Sequence, residues 1–484
     1  MKAVDTLRRY AAAALSILPG GYDAADDRGR RRSPVSVTYS EDAIANQRIR
    51  RILEANSRDL ARNFAIAKWA IGKHLDYVTA FSFQAKTADM DFNRELEAYI
   101  EFRSMPGQFD VAGRHPLRRS VRLSEGCRAV AGDILWLKIL SPGPAGDARG
   151  QVQFIESDRI RNPDDIEPGD TSWINGIQVA KSGATLAYGI HNRGQGSQFE
   201  FARKVPARNG YLHAWYDRFD QVRGISPITA ALNWFRDVYE GFEYTLARTK
   251  IEQLFGIQVY RDASDPLGQV MPTVDSDEDG EADSGYELDF TKGPFMLDMA
   301  PGDKADVLNG GNPAGSTTDF LKLMIHVALR TLDIPYSFFD ESFTNFYGSR
   351  GGLIQYLKAC ENKIADIQDC LNWWTNWVLG LAVADGTIRM PSGMEFQDIY
   401  YEHVPAGVPW WDPSKEARGQ AMGIAMGVTS PQRVCREVGT DFETNIDEIA
   451  AAMEYAKSKG VDLVYADSSA FAPEITVGGN DATR

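Results

Sequence analysis

Cysteine is scarce in this chain: 484 residues carry four, at Cys127, Cys360, Cys370 and Cys435, and none forms a CxxC pair. That spacing argues against a disulfide framework, and we read the thiols as reduced and intracellular at assembly. Cys360 and Cys370, ten apart, would sit about 15 Å apart on one helix, beyond disulfide reach. The six histidines form no HxxxH or HExxH pattern, so neither a zinc site nor any other metal or cofactor is expected. No apolar run reaches the roughly 18 residues that span a bilayer, so no membrane partner is expected. The chain also lacks a GxxxxGK phosphate loop followed by Ser or Thr, a GxSxG elbow and a GxGxxG after a strand. Those gaps argue against phosphate-loop ATP hydrolysis, an α/β-hydrolase and a dinucleotide-binding fold in turn.

What is present is an ordinary globular composition, 43% hydrophobic and 25% charged, in a chain longer than one compact core usually fills. Two to four structural sections are expected. The rings are many, with 10 Trp, 19 Tyr and 23 Phe, which implies extensive packing within the chain or between subunits. The net charge is −15. A protein that grips DNA is usually basic, so an acidic one either ignores DNA or lets it slide.

Residues 1–40 read as a flexible arm. Ala11 to Leu18 is apolar after Arg8 and Arg9, but Asp5 and the shortness of the stretch argue against a secretory signal. Arg28, Arg30, Arg31 and Arg32 form a basic cluster, read first as solvated and alternatively as a contact for DNA or capsid. From Glu41 to Ala80 the spacing of Leu53, Leu60, Phe64, Ala67, Ile71 and Leu75 is helical, with Ser57 and Asp59 near the expected start. Asp89 to Phe102 reads as a second helix. Residues 122–220 read as mostly β, with strands at Gly132–Leu140, Val152–Ser157, Phe199–Lys204 and Tyr211–Trp215. Ile177–Ala180 and Thr185–Ile190, joined by Lys-Ser-Gly-Ala, read as a hairpin.

At Ser226-Pro227 an N-cap and a first-turn proline open a helix over about 225–256, striped by Ile228, Leu232, Phe235, Tyr239, Phe242 and Leu246. Residues 257–316 read as short strands and loops. Thr317-Thr318-Asp319 opens a helix to about Leu332, and Pro335 ends it. Residues 334–349 form an aromatic and polar loop. A third helix then carries Leu353, Leu357, Cys360, Ile364, Ile367, Leu371, Trp374, Val378 and Leu381, on the order of 45 Å long. Its stripe must pack on other helices, from this chain or from neighbours. Helices are expected at Ser414–Met426, Ser430–Val438 and Asn445–Lys459, before a Gly/Ala/Thr-rich tail.

Two acidic clusters have the residue types that chemistry could use. Asp275-Ser276-Asp277-Glu278-Asp279-Gly280 matches the first half of a calcium loop, but the twelfth position is Tyr286 and Glu287 comes one late, so a solvated loop is expected. Asp340-Glu341 reads as solvated rather than as an acid/base pair, and His326 as a helix residue.

Several short stretches, in order, resemble the lambda family of tailed-phage portal proteins. They are the Gly20–Ser33 opening, Ser57-Arg58-Asp59-Leu60-Ala61-Arg62-Asn63, the strand entry from Ser124-Glu125-Gly126 to Gly132-Asp133, and Phe154-Ile155-Glu156-Ser157-Asp158-Arg159-Ile160. Arg223-Gly224-Ile225-Ser226-Pro227, Asn345-Phe346-Tyr347-Gly348-Ser349-Arg350, Trp411-Asp412-Pro413-Ser414-Lys415-Glu416 and Gly427-Val428-Thr429-Ser430 continue the series. Tyr347-Gly348 departs from the family's Ser-Ser, and the extreme C-terminus carries no match.

The resemblance implies an α+β portal fold, with an α/β wing, a helical stem, a small β-containing clip and a helical crown. It implies a wing at 41–224, stem helices at 225–256 and 317–333 around a clip at 257–316, and a tunnel loop at 334–349. A long helix and return to the wing at 350–411, a crown at 412–460 and a tail at 461–484 complete it. The implied role is a ring, commonly of twelve copies, at one capsid vertex, which passes double-stranded DNA during packaging and ejection and later joins head to tail. Implied partners are further copies of the chain, the DNA, the terminase large subunit, the major capsid protein and scaffold, and head–tail adaptor proteins. The implied location is the virion's portal vertex, reached by assembly in the host cytoplasm. Tunnel-loop residues toward DNA would be Asp340, Glu341, Ser342, Thr344, Asn345, Tyr347, Ser349 and Arg350, with Phe338, Phe339, Phe343, Phe346 and Tyr347 packing the loop base. Twelve copies at −15 each make −180, and charge along the lumen would weaken phosphate contacts. Enzymatic activity is not expected. Competing readings are another head–tail connector or neck component, a soluble enzyme with an unrecognised site, and a nucleic-acid-binding module.

Overall fold

The computed structural model describes residues 38–142, 148–167, 170–194, 198–253, 257–261, 303–307, 315–340, 346–408 and 412–461. The basic cluster at 28–32, the acidic loop at 275–283, most of the expected clip, Trp410-Trp411 and nearly all of the tail lie outside these residues. The chain divides into two compact units, one made of 1–235 and 325–484, the other of 236–324.

The first unit opens with α1 (Glu41–Ile44), α2 (Gln47–Asn63) and α3 (Ala65–Val78). Sequence periodicity predicted one helical run beginning near Ser57 and Asp59. Helix α2 instead begins at Asn46, whose side-chain oxygen accepts from the Arg48 and Ile49 N–H groups. Ser57 is buried in mid-helix, and the run breaks at Phe64, which adopts extended backbone between α2 and α3. Next come β1 (Phe81–Ala85), α4 (Met90–Arg103) capped by Asp89, and α5 (Leu117–Ala131). Helix α5 corrects the β reading of residues 122–131. Its polar residues Ser120, Ser124, Glu125 and Arg128 are buried along with Val121 and Ala129, so a helical face was disguised by polar side chains.

Helix α5 ends at Gly132, where φ is +94° and a Cβ would fall 2.5 Å from the Gly224 carbonyl oxygen. The chain turns there into β2 (Asp133–Pro142), followed by β3 (Ala148–Glu156), β4 (Trp173–Ile174), β5 (Ile177–Val179), β6 (Thr185–Arg193), β7 (Phe199–Pro206) and β8 (Gly210–Ala214). They make two antiparallel sheets, ordered β3-β2-β8 and β4-β5-β6-β7. Strand β2 is central in its sheet and covered on both faces. Leu135 and Leu137 join Ile155, Ile160, Ile177, Tyr188, Ile190 and Val205 in one cluster. Trp136, of opposite parity, meets Phe109 and Phe154 edge-on and donates its indole N–H to Ser124 Oγ at 2.6 Å.

Ser226 caps a 3-10 turn at Pro227–Ala231, which leads into α6 (Leu232–Gln253). In the second unit, β9 (Ile257–Arg261) pairs with β10 (Asp303–Val307). Helix α7 (Gly315–Leu329) leads back toward the first unit, whose long α8 runs Phe346–Ala384. With 39 residues α8 is about 58 Å long, more than the expected 45 Å, and it begins inside the stretch assigned to the loop. Its buried seam is Leu353, Tyr356, Cys360, Lys363, Ile367, Cys370, Trp374, Val378 and Ala382. Tyr356 and Lys363 thus hold seam positions that the apolar pattern gave to Leu357 and Ile364. Strand β11 (Tyr401–Pro405) pairs antiparallel with β1. Helices α9 (Pro413–Ala425), α10 (Pro431–Val438) and α11 (Phe442–Ser458) follow, capped by Asp412, Ser430 and Asp441.

Candidate functional site

The loop between α7 and α8 is held by its first half. A 3-10 turn at Arg330–Leu332 closes on Asp333, which sits in the left-handed region at φ 63°. Buried Lys363 of α8 donates to the Leu332 carbonyl oxygen at 3.1 Å and to Asp333 Oδ2 at 2.8 Å. A second 3-10 turn, Tyr336–Phe338, then places two rings on the first unit's helices. Phe338 stacks on Tyr77 at 5.7 Å between centroids and meets Tyr356 edge-on at 5.4 Å. Phe339 meets Trp69 edge-on at 5.7 Å. Gly352 lets this turn lie close on α8: a Cβ there would sit 3.2 Å from Ser337 Oγ.

The sequence-derived site residues divide sharply. Asp340 closes the anchored half, its N–H donating to the Tyr336 carbonyl oxygen at 3.0 Å. Glu341, Ser342, Thr344 and Asn345, together with Phe343, lie outside the described residues. Tyr347, Ser349 and Arg350 are in the first turn of α8, not in a loop, so the loop ends at 345 and not at 349. Tyr347 is 79% exposed and does not pack the loop base. Arg350 pairs with Glu416 of α9 at 3.2 Å, which ties the start of the long helix to the C-terminal helices.

Helix α8 is fixed a second time, one turn beyond Lys363, by a buried polar node. His74 Nε2 and His213 Nε2 lie 2.7 and 2.9 Å from the two oxygens of Glu125, and Arg128 Nε donates to Oε2 at 2.7 Å. Arg128 Nη1 also reaches Asp366 of α8 at 2.6 Å, and its guanidinium lies 4.8 Å from the Trp215 ring centre. Burial alone would push the Glu125 carboxyl up; Arg128 and the hydrogen bonds from His213 and His74 reverse that and hold it well below the usual carboxylate range. Burial holds both imidazoles below their ordinary value.

A second node joins several of the short motifs. Arg223 forks onto Asp133, with Nε donating to Oδ2 at 2.7 Å and Nη2 to Oδ1 at 2.8 Å. Its remaining N–H groups donate to the carbonyl oxygens of Ser157, Ile160 and Asn175. Arg50 donates to Asp133 Oδ2 at 3.1 Å and to the Gly224 carbonyl oxygen at 2.7 Å, and Ser157 donates to Glu54. Burial opposes the Asp133 charge, but Arg223 and Arg50 keep its carboxyl below the ordinary value.

Sequence reasoning missed both nodes and Lys363. Lys363 had a signal: it falls between Cys360 and Ile367 at seam spacing. Glu125 and Asp133 had none beyond their motifs, since their partners are as distant as residues 74, 213 and 223. Among the described residues no group of three His, Cys, Asp or Glu side chains is placed to hold a metal. No helix there is long and apolar enough to cross a membrane.

A family model described as phage portal protein, lambda family, matches residues 28–362. No curated protein matches the chain. Among solved structures, the neck of an empty GTA particle computed with C6 symmetry is similar at 11% identity and a TM-score of 0.49, covering 80% of this chain and 94% of that one. The virion of a native gene transfer agent particle is similar at 12% identity and a TM-score of 0.45, covering 80% and 93%. An HK97-family phage portal protein from Corynebacterium diphtheriae gives 10% identity and a TM-score of 0.29, covering 59% and 80%.

Proposed function

The chain belongs to the lambda family of phage portal proteins, and on that premise we propose that its copies close into a ring at one capsid vertex, a channel for double-stranded DNA. The observation that carries this is a pair of exposed apolar stripes. Helix α6 exposes Phe242 and Leu246, and α7 exposes Phe320, Leu323 and Val327, each set at helical spacing and each residue 39% exposed or more. Large apolar side chains repeated on one helix face call for a covering surface. Head-to-tail copies of the same chain supply it around a closed ring.

In this reading 41–224 is the wing, α6 and α7 are the stem, 257–316 is the clip facing the terminase large subunit, and α9 to α11 form the crown. Residues 340–345 and the exposed start of α8 form the tunnel loop, its base riveted by Phe338, Phe339 and Lys363. Asp340, Glu341, Ser342, Thr344, Asn345, Tyr347 and Ser349 face the duplex. Arg350 is committed to Glu416 and contributes to the loop's anchoring. The capsid protein, scaffold and head–tail adaptors bind the ring's outer parts. The protein assembles in the host cytoplasm, resides at the virion vertex and acts without a cofactor. A channel that carries this much negative charge passes DNA with few lasting phosphate contacts.

Electron microscopy of the purified protein tests the ring: annular particles with a central hole are expected, and a monomer without one at high concentration overturns the reading. Replacing residues 341–345 with glycines is expected to leave rings intact and to cut DNA packaged per head at least tenfold. Normal packaging by that variant removes the loop assignment.

A further inference from the structure

We infer that a groove along α5, separate from the channel segment, is a docking site for an acidic, amphipathic helical segment of a partner protein. The groove encloses about 690 Å³ and is floored by Leu75, Leu123, Cys127, Val130 and Ala131. Leu123 is 47% exposed there, a large apolar side chain that the described residues leave uncovered. The lining follows one face of α5 from Arg118 to Ala131, which at about 1.5 Å per residue is roughly 20 Å, the length of a helical segment of three to four turns. An apolar floor of that shape takes the i, i+3/i+4, i+7 side chains of a helix.

The rim states the partner's charge. Arg58, Arg118, Arg119 and Arg122 line it against one carboxylate, Glu156. Arg58 is already paired with Glu156 and Asp158, and Arg122 with Asp76 at 2.8 Å. Arg118 and Arg119 are exposed and form no ion pair among the described residues. Two uncommitted guanidiniums over an apolar floor, in a chain of net charge −15, select for acidic residues flanking an apolar stripe. The lining has no aromatic ring on which a base could stack, which disfavours single-stranded nucleic acid as the occupant.

The inference is independent of the channel reading, because its test reads binding and not DNA transport. The full chain, as monomer and as assembled ring, is titrated against a fluorescent peptide of about sixteen residues with leucine at helical spacing and glutamate between. Binding that weakens with added salt is expected. Arg118→Glu combined with Arg119→Glu is expected to weaken it at least tenfold. Gly126→Leu should do the same by filling the floor; the added Cβ would lie 3.5 Å from Leu75 Cδ1, an ordinary contact, and circular dichroism checks that the variant keeps its fold. No binding, or equal binding of a peptide with lysine in place of glutamate, overturns the proposal. Competition by a single-stranded oligonucleotide overturns it in favour of nucleic acid. Binding to the monomer but not to the ring assigns the groove to a second copy. Displacement by a synthetic peptide of residues 462–484 assigns it to the chain's own end.

Discussion

The first unit and the 236–324 unit handle their difficult groups in opposite ways. The first buries charges, Arg50, Glu125, Arg128, Asp133 and Arg223 among them, and answers each with a partner in the same chain. The second leaves rings exposed, Phe242 and Phe320 among them. A buried charge must be matched where it is buried, since leaving it unpaired costs several kcal/mol. An exposed apolar stripe can wait for a partner at the modest cost of wetted surface. The contrast teaches that buried charge has to be answered within the chain, whereas an exposed apolar stripe does not.

The sharpest way to break the contrast is Arg223→Leu. It takes away the two-pronged partner of buried Asp133 and leaves that carboxylate to Arg50 alone, and the expected loss of stability is about 3–5 kcal/mol, read by urea unfolding of the isolated chain. A loss under 1 kcal/mol would mean that the node is not the first unit's keystone.

Acid sharpens it next. Burial holds the His403 imidazole down to about 4, and Thr375 Oγ1 lies 2.9 Å from its Nε2. The unfolded chain binds this proton near pH 6.5 and the folded chain only near 4, so stability from this site is present above pH 6.5 and lost as pH falls through that window. The expected loss is about 3 kcal/mol, and His403→Gln should flatten that part of the stability–pH curve. An unchanged curve would show that His403 titrates normally.

The smallest expected change in stability belongs to the exposed stripe. Phe242→Ser with Leu246→Ser should move unfolding of the isolated chain by no more than about 0.5 kcal/mol. Its effect should appear in assembly instead, as loss of rings in mass photometry. A large drop in monomer stability, with rings retained, would reverse the comparison.

Much of the architecture was legible in the residues. The Ser226-Pro227 cap, the hairpin around Lys181-Ser182-Gly183-Ala184, the long third helix and the three C-terminal helices all follow from local signals, and the structure places them within a few residues. The misses share a cause. Periodicity puts residues 122–131 of α5 in the mostly β section because the helix's buried face carries Ser124, Glu125 and Arg128, which no hydrophobic pattern records. The loop was drawn through residue 349 because Phe346-Tyr347-Gly348-Ser349 has no apolar stripe, although α8 already runs through it. The sequence marked 334–349 as an aromatic and polar loop, while the side chains that anchor its first half, Tyr77, Trp69 and Lys363, came only from the fold.

By itself, the sequence determined most of the helices and strands, several of their caps and the family they signal, because periodicity and capping act between residues a few positions apart. Tertiary structure alone decided which charges are buried. Arg223 meets Asp133 and Glu125 meets His213 across roughly 90 residues of chain. An arginine or glutamate looks solvent-bound until the fold brings its partner to it, because only the partner makes its burial affordable.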